Sequence, residues 1–350
     1  MSNKKLRIKI ELPEKVRLLM SKLNRRGFAA HAVGGCVRDS LMGIEPHDWD
    51  ICTSATPDQI KMCLEGLRIL DTGKKYGSLT VILDSEPFEV TSYRKDGAYR
   101  DCRRPTEVLF VKSLFKDLSR RDFTINAMAY SEEEGLADPY GGFEDLQKKL
   151  IRCVGDPDRR FGEDVLRIIR ALRFASVFGF NIEPSTAESI HKNRDLLRII
   201  AAERINAEFK KLLCGHYAET VLRDFADIIA VLIPEIVPMF SFIGFDYGQS
   251  LWEHTIKSIG CAPGDLVIRL ILLLQNISVP GRAAEHGSDA SASADMAEAV
   301  MRRMRFENKT IKAVCKLISY RDAQICPGDV CARKLLSKLG PESLGRLIEI

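Results

Sequence analysis

Residues 28–53 read FAAHAVGGCVRDSLMGIEPHDWDICT, and the plan of the front of the chain turns on this stretch. Phe28 to Val33 is an apolar, strand-like run that ends at Gly34-Gly35. A short helix from Cys36 to Met42 stops at Gly43, and a second strand, 48–53, opens with Asp48-Trp49-Asp50. Side chains two apart on a strand project from one face, so both carboxylates can bind the same metals. Two Mg²⁺ ions held there would activate an attacking hydroxyl and stabilise a leaving pyrophosphate. The Gly34-Gly35 step lets backbone N–H groups approach a triphosphate, and the following helix offers its positive N-terminus. Arg38, in the first turn, can add a bidentate phosphate contact. A lone DxD is more often a solvated turn, but GGxVRD followed at short range by DxD on a strand is much rarer. Glu89, on a later strand, is either a third carboxylate of this group or a partnered edge-strand glutamate.

On the N-terminal side, residues 13–25 have a helical period carried by Val16, Leu18, Leu19 and Leu23, and Gly27 stops them. On the C-terminal side, Ser54-Ala55-Thr56-Pro57 opens another helix. Strands Ser78 to Leu83 and Pro87 to Tyr93 flank a hairpin turn at Asp84-Ser85-Glu86. Residues 94–106 are charged and aperiodic, a loop. A strand from Thr124 to Tyr130 closes this α/β unit near residue 140. From Leu146 onward the period is helical, broken at prolines 157, 184, 234, 238, 263 and 280, with a small, polar surface loop at 281–294.

With 350 residues, 45% hydrophobic and 29% charged, the chain is expected to fold as two or three globular units. The charged start carries no apolar run, so it is not a secretory signal, and Leu266 to Leu274 contains Arg269 and is too short to span a bilayer. A cytoplasmic protein is expected. Ten cysteines without a CxxC pair or zinc spacing read as small buried hydrophobes. Net charge is only +4, but arginines cluster at 103–104, 120–121, 159–160 and 302–305. Such clusters either neutralise phosphates or line solvated helix faces.

The GGxVRD and DxD pair resembles the signature of the nucleotidyltransferase superfamily typified by DNA polymerase beta. Further segments follow in unbroken order. Arg120-Arg121-Asp122-Phe123-Thr124 through Asn126-Ala127-Met128-Ala129 resembles a family RRDFTxNAMA segment. Asp138-Pro139-Tyr140-Gly141-Gly142 with Asp145-Leu146 is similar to a DPxGGxxDL bridge. Glu163-Asp164-Val165-Leu166-Arg167 through Arg170, Arg173 and Phe174 looks like an EDxLRxxRxxRF helix, and Glu203-Arg204-Ile205 like a final ERI motif. Across residues 28–213 the chain resembles class II tRNA nucleotidyltransferases and bacterial poly(A) polymerases.

That resemblance implies an α+β protein: a polymerase-beta-like head at 1–140, a helical neck at 141–215, and a helical, tRNA-binding body at 216–350. It implies Mg²⁺-dependent addition of CCA to tRNA from CTP and ATP, with no DNA and no membrane as partner. Asp48 and Asp50 would be the catalytic metal ligands; Gly35, Arg38 and Arg121 would bind the nucleotide, the two arginines at its phosphates. Asp164 and Arg167, one turn apart, offer an acceptor beside a fork of donors. Cytosine and adenine each present an amino donor beside a ring-nitrogen acceptor, which that pair suits; guanine and uracil reverse both. Arg170 and Arg173 would complete the pocket, or else belong to a salt-bridged helix surface.

Leu70 to Val81, with Thr72-Gly73 and Tyr76-Gly77, looks like the tRNA branch of the family, and the 94–106 loop has the length expected of full CCA addition. Poly(A) addition, A-only addition and an inactive RNA-binding module stay open. Farther on, Trp252-Glu253-His254-Thr255 resembles the start of an HD phosphohydrolase domain, but Gln275-Asn276 stands where His-Asp would bind metal, and Arg321-Asp322 where a later His-Asp is usual. A degenerate HD-like scaffold is expected, with any tail after Ile350 short or missing.

Overall fold

The structure, a computed structural model, describes residues 8–97, 106–243, 248–282, 290–323 and 329–349. Tyr99 to Pro105 in the expected loop and Ser288-Asp289 lie outside the described residues. Two compact units emerge: Met1–Arg167 with Asn181–Ser189, and Ile168–Phe180 with Ile190–Ile350.

The first unit opens with helix α1 (Glu14–Arg25). Its buried stripe is Val16, Leu19, Met20 and Leu23, while Leu18 is exposed. At about 100° per residue, Leu18 falls outside the i, i+3, i+4, i+7 stripe that Met20 joins. Strand β1 (Ala30–Val33) leads into α2 (Gly35–Leu41), then β2 (Asp50–Thr53) and α3 (Pro57–Cys63). Thr56 caps α3 reciprocally with Gln59, as the Ser-Ala-Thr-Pro opening implied. Next come β3 (Arg68–Gly73), β4 (Ser78–Leu83) and β5 (Glu86–Ser92). Asp84 and Ser85 take φ of 49° and 66°, the two-residue turn that joins β4 to β5.

After β6 (Arg94–Asp96) and β7 (Val108–Phe110) follow α4 (Leu114–Leu118), β8 (Ala129–Ser131), β9 (Gly135–Ala137) and α5 (Gly142–Gln147). The expected strand from Thr124 is corrected: Thr124–Asn126 is a 3₁₀ turn, and only Ala129–Ser131 pairs with β1. Gly142 explains the turn's position, because a Cβ there would lie 2.2 Å from the Thr124 carbonyl oxygen. Short β10 (Leu150–Ile151) and helix α6 (Pro157–Glu163) complete the run.

The main sheet runs β3-β4-β5-β2-β1-β8-β9. Strand β2 is antiparallel to β1 and parallel to β5, and the register sets Asp50 opposite Glu89. Ile51 and Cys52 point to opposite faces and both are fully buried, so both faces of β2 are covered. Cys52 packs with Val33, Tyr93, Leu118, Ala127, Ala129 and Val154. Each large apolar side chain buried this way contributes about 1.5–3 kcal/mol, which anchors the strand bearing Asp50.

Helix α7 (Leu166–Phe178) carries the chain onward through β11 (Asn181–Ile182) and α8 (Pro184–Asn193). The second unit then has α9 (Ala202–Leu213), α10 (Ala218–Asp224), α11 (Ala226–Leu232), α12 (Leu251–Cys261), α13 (Leu266–Leu274), α14 (Val279–Arg282), α15 (Ala290–Arg303), α16 (Asn308–Ser319), α17 (Asp329–Leu339) and α18 (Pro341–Glu349). The loop expected at 281–294 is shorter than that: α15 already includes Ala290, and Ser293 is fully buried against Ser278. Arg269, buried in α13, donates to the carbonyls of Pro263, Leu213, Gly215 and Ala262. One guanidinium thus satisfies carbonyls at the ends of two helices, α9 and α12.

Asn276 and Arg321 meet although 45 residues separate them: Arg321 Nη1 donates to Asn276 Oδ1 at 3.1 Å and reaches Ser293 Oγ at 3.4 Å. The two HD-like positions are therefore neighbours, and an amide and a guanidinium bond to each other there. A guanidinium does not ligate a metal, and a neutral amide is a poor transition-metal ligand beside imidazole or carboxylate. The protein is accordingly expected to show no phosphodiesterase turnover of 2′,3′-cyclic nucleotides with nickel, manganese or magnesium. Turnover that disappears on His254→Ala would contradict this. No helix among the described residues is long and apolar enough to cross a membrane. Of the cysteines whose surroundings the structure describes, Cys36, Cys52, Cys63 and Cys153 are buried, Cys214 and Cys315 half-buried, and Cys261 exposed.

Candidate active site

Gly34 turns the chain from β1 into α2 with φ of +82°, a conformation that L side chains rarely adopt. A Cβ there would also stand 3.0 Å from Arg121 Nη1. The glycine thus lets Arg121 press against the turn. Gly35 is less constrained by the protein itself, since its nearest neighbour would be Arg38 Nη2 at 3.6 Å.

Asp50 is half-buried at the start of β2, and Asp48 precedes the strand and is exposed. The expected strand 48–53 is therefore two residues too long, and shared strand geometry does not align the pair. Electrostatics does associate them. Burial first, then the neighbouring charges of Glu89 and Asp48, push the Asp50 carboxyl up to about 6, with Arg121 pulling the other way. Glu89 is exposed and accepts a hydrogen bond from Ser78 Oγ.

This donor set is all carboxylate oxygen, the type that hard divalent cations take. Its mutual repulsion is what a cation would relieve, so magnesium fits. Among the described residues, no group of three or more His, Cys, Asp or Glu is placed to hold a metal alone. Added oxygens from substrate or water are what magnesium sites commonly use.

Arg121 donates from Nη2 to Asp117 Oδ2 at 3.3 Å, and its Nε is buried without a hydrogen-bond partner. An unmatched buried donor costs about 1–3 kcal/mol, so an acceptor oxygen at this point would be well received. Arg38 is buried: Nη1 donates to Asn126 Oδ1 at 2.6 Å and Nε to Asp39 Oδ1 at 2.9 Å. Asn126 in turn donates to Asp122. The 120–129 segment thereby backs the glycine turn from inside. The DPxGG bridge is scaffold on the same side, with Asp138 accepting from the N–H groups of Gly142 and Phe143.

The helix expected from Asp164 is corrected. Helix α6 ends at Glu163, Asp164 is extended with φ −144°, and α7 starts at Leu166. Asp164 Oδ1 accepts from Leu166 N–H at 3.2 Å, so it caps α7 from outside. Arg167 is buried one residue into that helix. Its Nη1 donates to the Arg160 carbonyl and to Glu163, both at 3.0 Å, and its Nη2 to the Arg120 carbonyl at 2.9 Å. A guanidinium has five N–H donors, so two remain beyond these three bonds. The structure thus brings the EDxLR segment onto the backbone beside Arg121.

Arg170 and Arg173 fall in the second unit, where both face Glu208, at 3.7 and 3.0 Å. Arg173 also stacks over Phe174 at 4.1 Å. Arg302, Arg303 and Arg305 pair with Glu298, Glu235 and Glu203, as a solvated helix face would. Sequence reasoning missed Asp117 and Glu208 as the carboxylates behind these arginines. Nothing in the sequence sets them apart, since Asp117 lies in the charged run Lys116 to Asp122 and Glu208 shares α9 with Glu203, Arg204, Lys210 and Lys211.

A family described as the poly A polymerase head domain matches residues 30–152, and one described as a probable RNA and SrmB-binding site of polymerase A matches 179–239. The CCA-adding enzyme of Limosilactobacillus fermentum is 45% identical over 214 residues, 61% of this chain and 53% of that one. The chain spans about half the length of that relative. The CCA-adding enzyme of Bacillus licheniformis is 35% identical over 318 residues, covering 87% of this chain and 78% of the relative. Among solved structures, the Bacillus stearothermophilus CCA-adding enzyme in complex with CTP superposes with a TM-score of 0.71 at 27% identity, covering 97% of this chain and 79% of that one. With identity at this level over most of both sequences, and with these motifs folded together, the chain belongs to the family of CCA-adding enzymes.

Proposed function

We propose that this protein adds CCA to the 3′ end of tRNA from CTP and ATP, without a nucleic-acid template. The observation that carries the reading is one connected group: Asp50 beside Arg121, Arg121 against Gly34, and Arg167 bonded to the Arg120 carbonyl. Chemistry at phosphorus and selection at the base are thereby supported by adjacent backbone. The division into a head at 1–140, a neck at 141–215 and a tRNA-binding body at 216–350 belongs to the same proposal, as does a cytoplasmic location.

Asp48 and Asp50 would hold magnesium, which supplies positive charge for the attacking hydroxyl and the departing pyrophosphate when bound. The chain does the rest. Arg121 presents its unmatched Nε donor to a phosphate oxygen. The Gly34 N–H is taken by the Met128 carbonyl at 3.1 Å, so the backbone donor for a phosphate at this turn would be Gly35, and Arg38 keeps the turn rigid through Asn126. Asp164 and the two remaining donors of Arg167 form an acceptor-and-donor edge for cytosine or adenine. A guanine or uracil would leave unmatched groups at about 1–3 kcal/mol each.

The test is incubation with tRNA ending before CCA, tRNA ending in CC, and oligo(A), each with labelled CTP or ATP. Incorporation of C into the first and a single A into the second is expected. Extension of oligo(A) in preference to tRNA would replace this reading with poly(A) addition, and A incorporation without C would replace it with A-only addition.

A further inference from the structure

Asp117 is fully buried on α4, yet it is ionic. Burial pushes its carboxyl up, but Arg120 and Arg121 beside it outweigh that, and the net shift is downward. Three separate donors meet it. Arg120 donates from Nε at 3.1 Å and from Nη2 at 2.8 Å; Arg121 donates from Nη2 at 3.3 Å. The third is the backbone N–H of Arg94, at 3.2 Å, where the charged 94–106 segment begins.

Each donor leads elsewhere. Arg121 continues to Gly34 and Asp50. The Arg120 carbonyl receives Arg167. Arg94 donates to Asp96 at 3.0 Å and also to the Tyr76 carbonyl. A buried carboxylate bonded both to the Arg120-Arg121 pair of its own segment and to the start of β6 fixes those two segments against each other, because no water can replace any of its bonds. Asp96 adds a second bridge between them, 3.0 Å from Arg94 and 3.9 Å from Arg120.

We propose that Asp117 is a positioning residue for nucleotide addition, holding Arg121 in line with Asp50 while tying it to the root of the 94–106 segment. It touches no substrate and acts through Arg121. The proposal rests on the reading of the site given above. It goes further by naming the group that sets the phosphate arginine, and by placing that group where the charged segment starts.

The experiment is a double-mutant cycle between Asp117→Asn and Arg121→Ala, read as KM for CTP and for ATP in single-nucleotide addition to tRNA. Asn keeps the size and one acceptor and removes the charge. Alone, Asp117→Asn is expected to raise both KM values about tenfold, with unfolding midpoints recorded alongside. In the Arg121→Ala background it should change KM less than twofold, because the residue through which it acts is gone. An undiminished effect in that background would make Asp117 a scaffold residue only and overturn the proposal. Asp117→Ser serves if the amide variant does not fold, and a protein that folds with neither would overturn it as well. Wild-type protein that incorporates no CTP would instead overturn the functional reading, so the two failures are distinguishable.

Discussion

Asp48→Ala and Asp50→Ala are each expected to abolish incorporation of both CTP and ATP, by at least about a thousandfold, in protein that still folds. Losing one ligand of a catalytic cation removes several kcal/mol of transition-state stabilisation, and each 1.4 kcal/mol is about tenfold in rate. Folding survives because neither carboxylate is core: Asp48 is exposed and Asp50 half-buried. Asp50 adds a second readout. Its folded-state value of about 6 stands above the ordinary 3.8. Ionising Asp50 therefore opposes folding: its contribution is full below the ordinary value and is lost as pH rises through about 6.

Asp50→Asn, which cannot ionise, should accordingly be more stable than wild type near neutral pH without divalent cations, by about 1–3 kcal/mol. At about pH 4 the difference should vanish, and magnesium should stabilise wild type and not the variant. Near-normal incorporation by either alanine variant would contradict the site, and an Asp50→Asn protein less stable at neutral pH would contradict its electrostatics.

The second large effect concerns which base is used. Asp164→Ala with Arg167→Ala is expected to raise GTP and UTP use relative to CTP and ATP by roughly ten- to a hundredfold, from about 1–3 kcal/mol per lost edge pairing. Arg121→Ala should lower all four nucleotides with their ratios kept, because phosphates are common to every one. Arg167 has a structural share as well, through Arg160, Glu163 and Arg120. Rates should therefore fall in the double variant even as selectivity relaxes, and the ratio is the informative quantity. A double variant that keeps its C and A preference, beside an Arg121→Ala protein that loses it, would reverse the two roles.

The elements nearest the site were legible because their signals are local. Gly34 at the strand-to-helix turn, the Asp84-Ser85 hairpin and the Thr56 cap each depend on a few adjacent residues. Expectations failed where distant atoms decide, or where a side chain competes locally with the helix. Thr124–Asn126 forms a 3₁₀ turn in contact with Gly142, which no β-propensity reveals. Asp164 breaks an otherwise helical period because its own side chain caps the next helix. Asp50 and Glu89 meet through a parallel register set by the sheet, so sequence reading could offer Glu89 as a third carboxylate only beside the alternative of an edge-strand glutamate. Glu208 is invisible for the same reason, since folding brings Arg173 to it, and what hides Asp117 is its burial, because its arginines are only three and four residues on.

The most direct test of the central claim is sequencing of RNA 3′ ends after incubation with magnesium and all four nucleoside triphosphates. The substrate is a tRNA transcript lacking its last three nucleotides. The proposed function predicts products that end in CCA and grow no further, with G and U rare at every added position. Adenosine tails of variable length, or mixed additions without the C-C-A order, would contradict it.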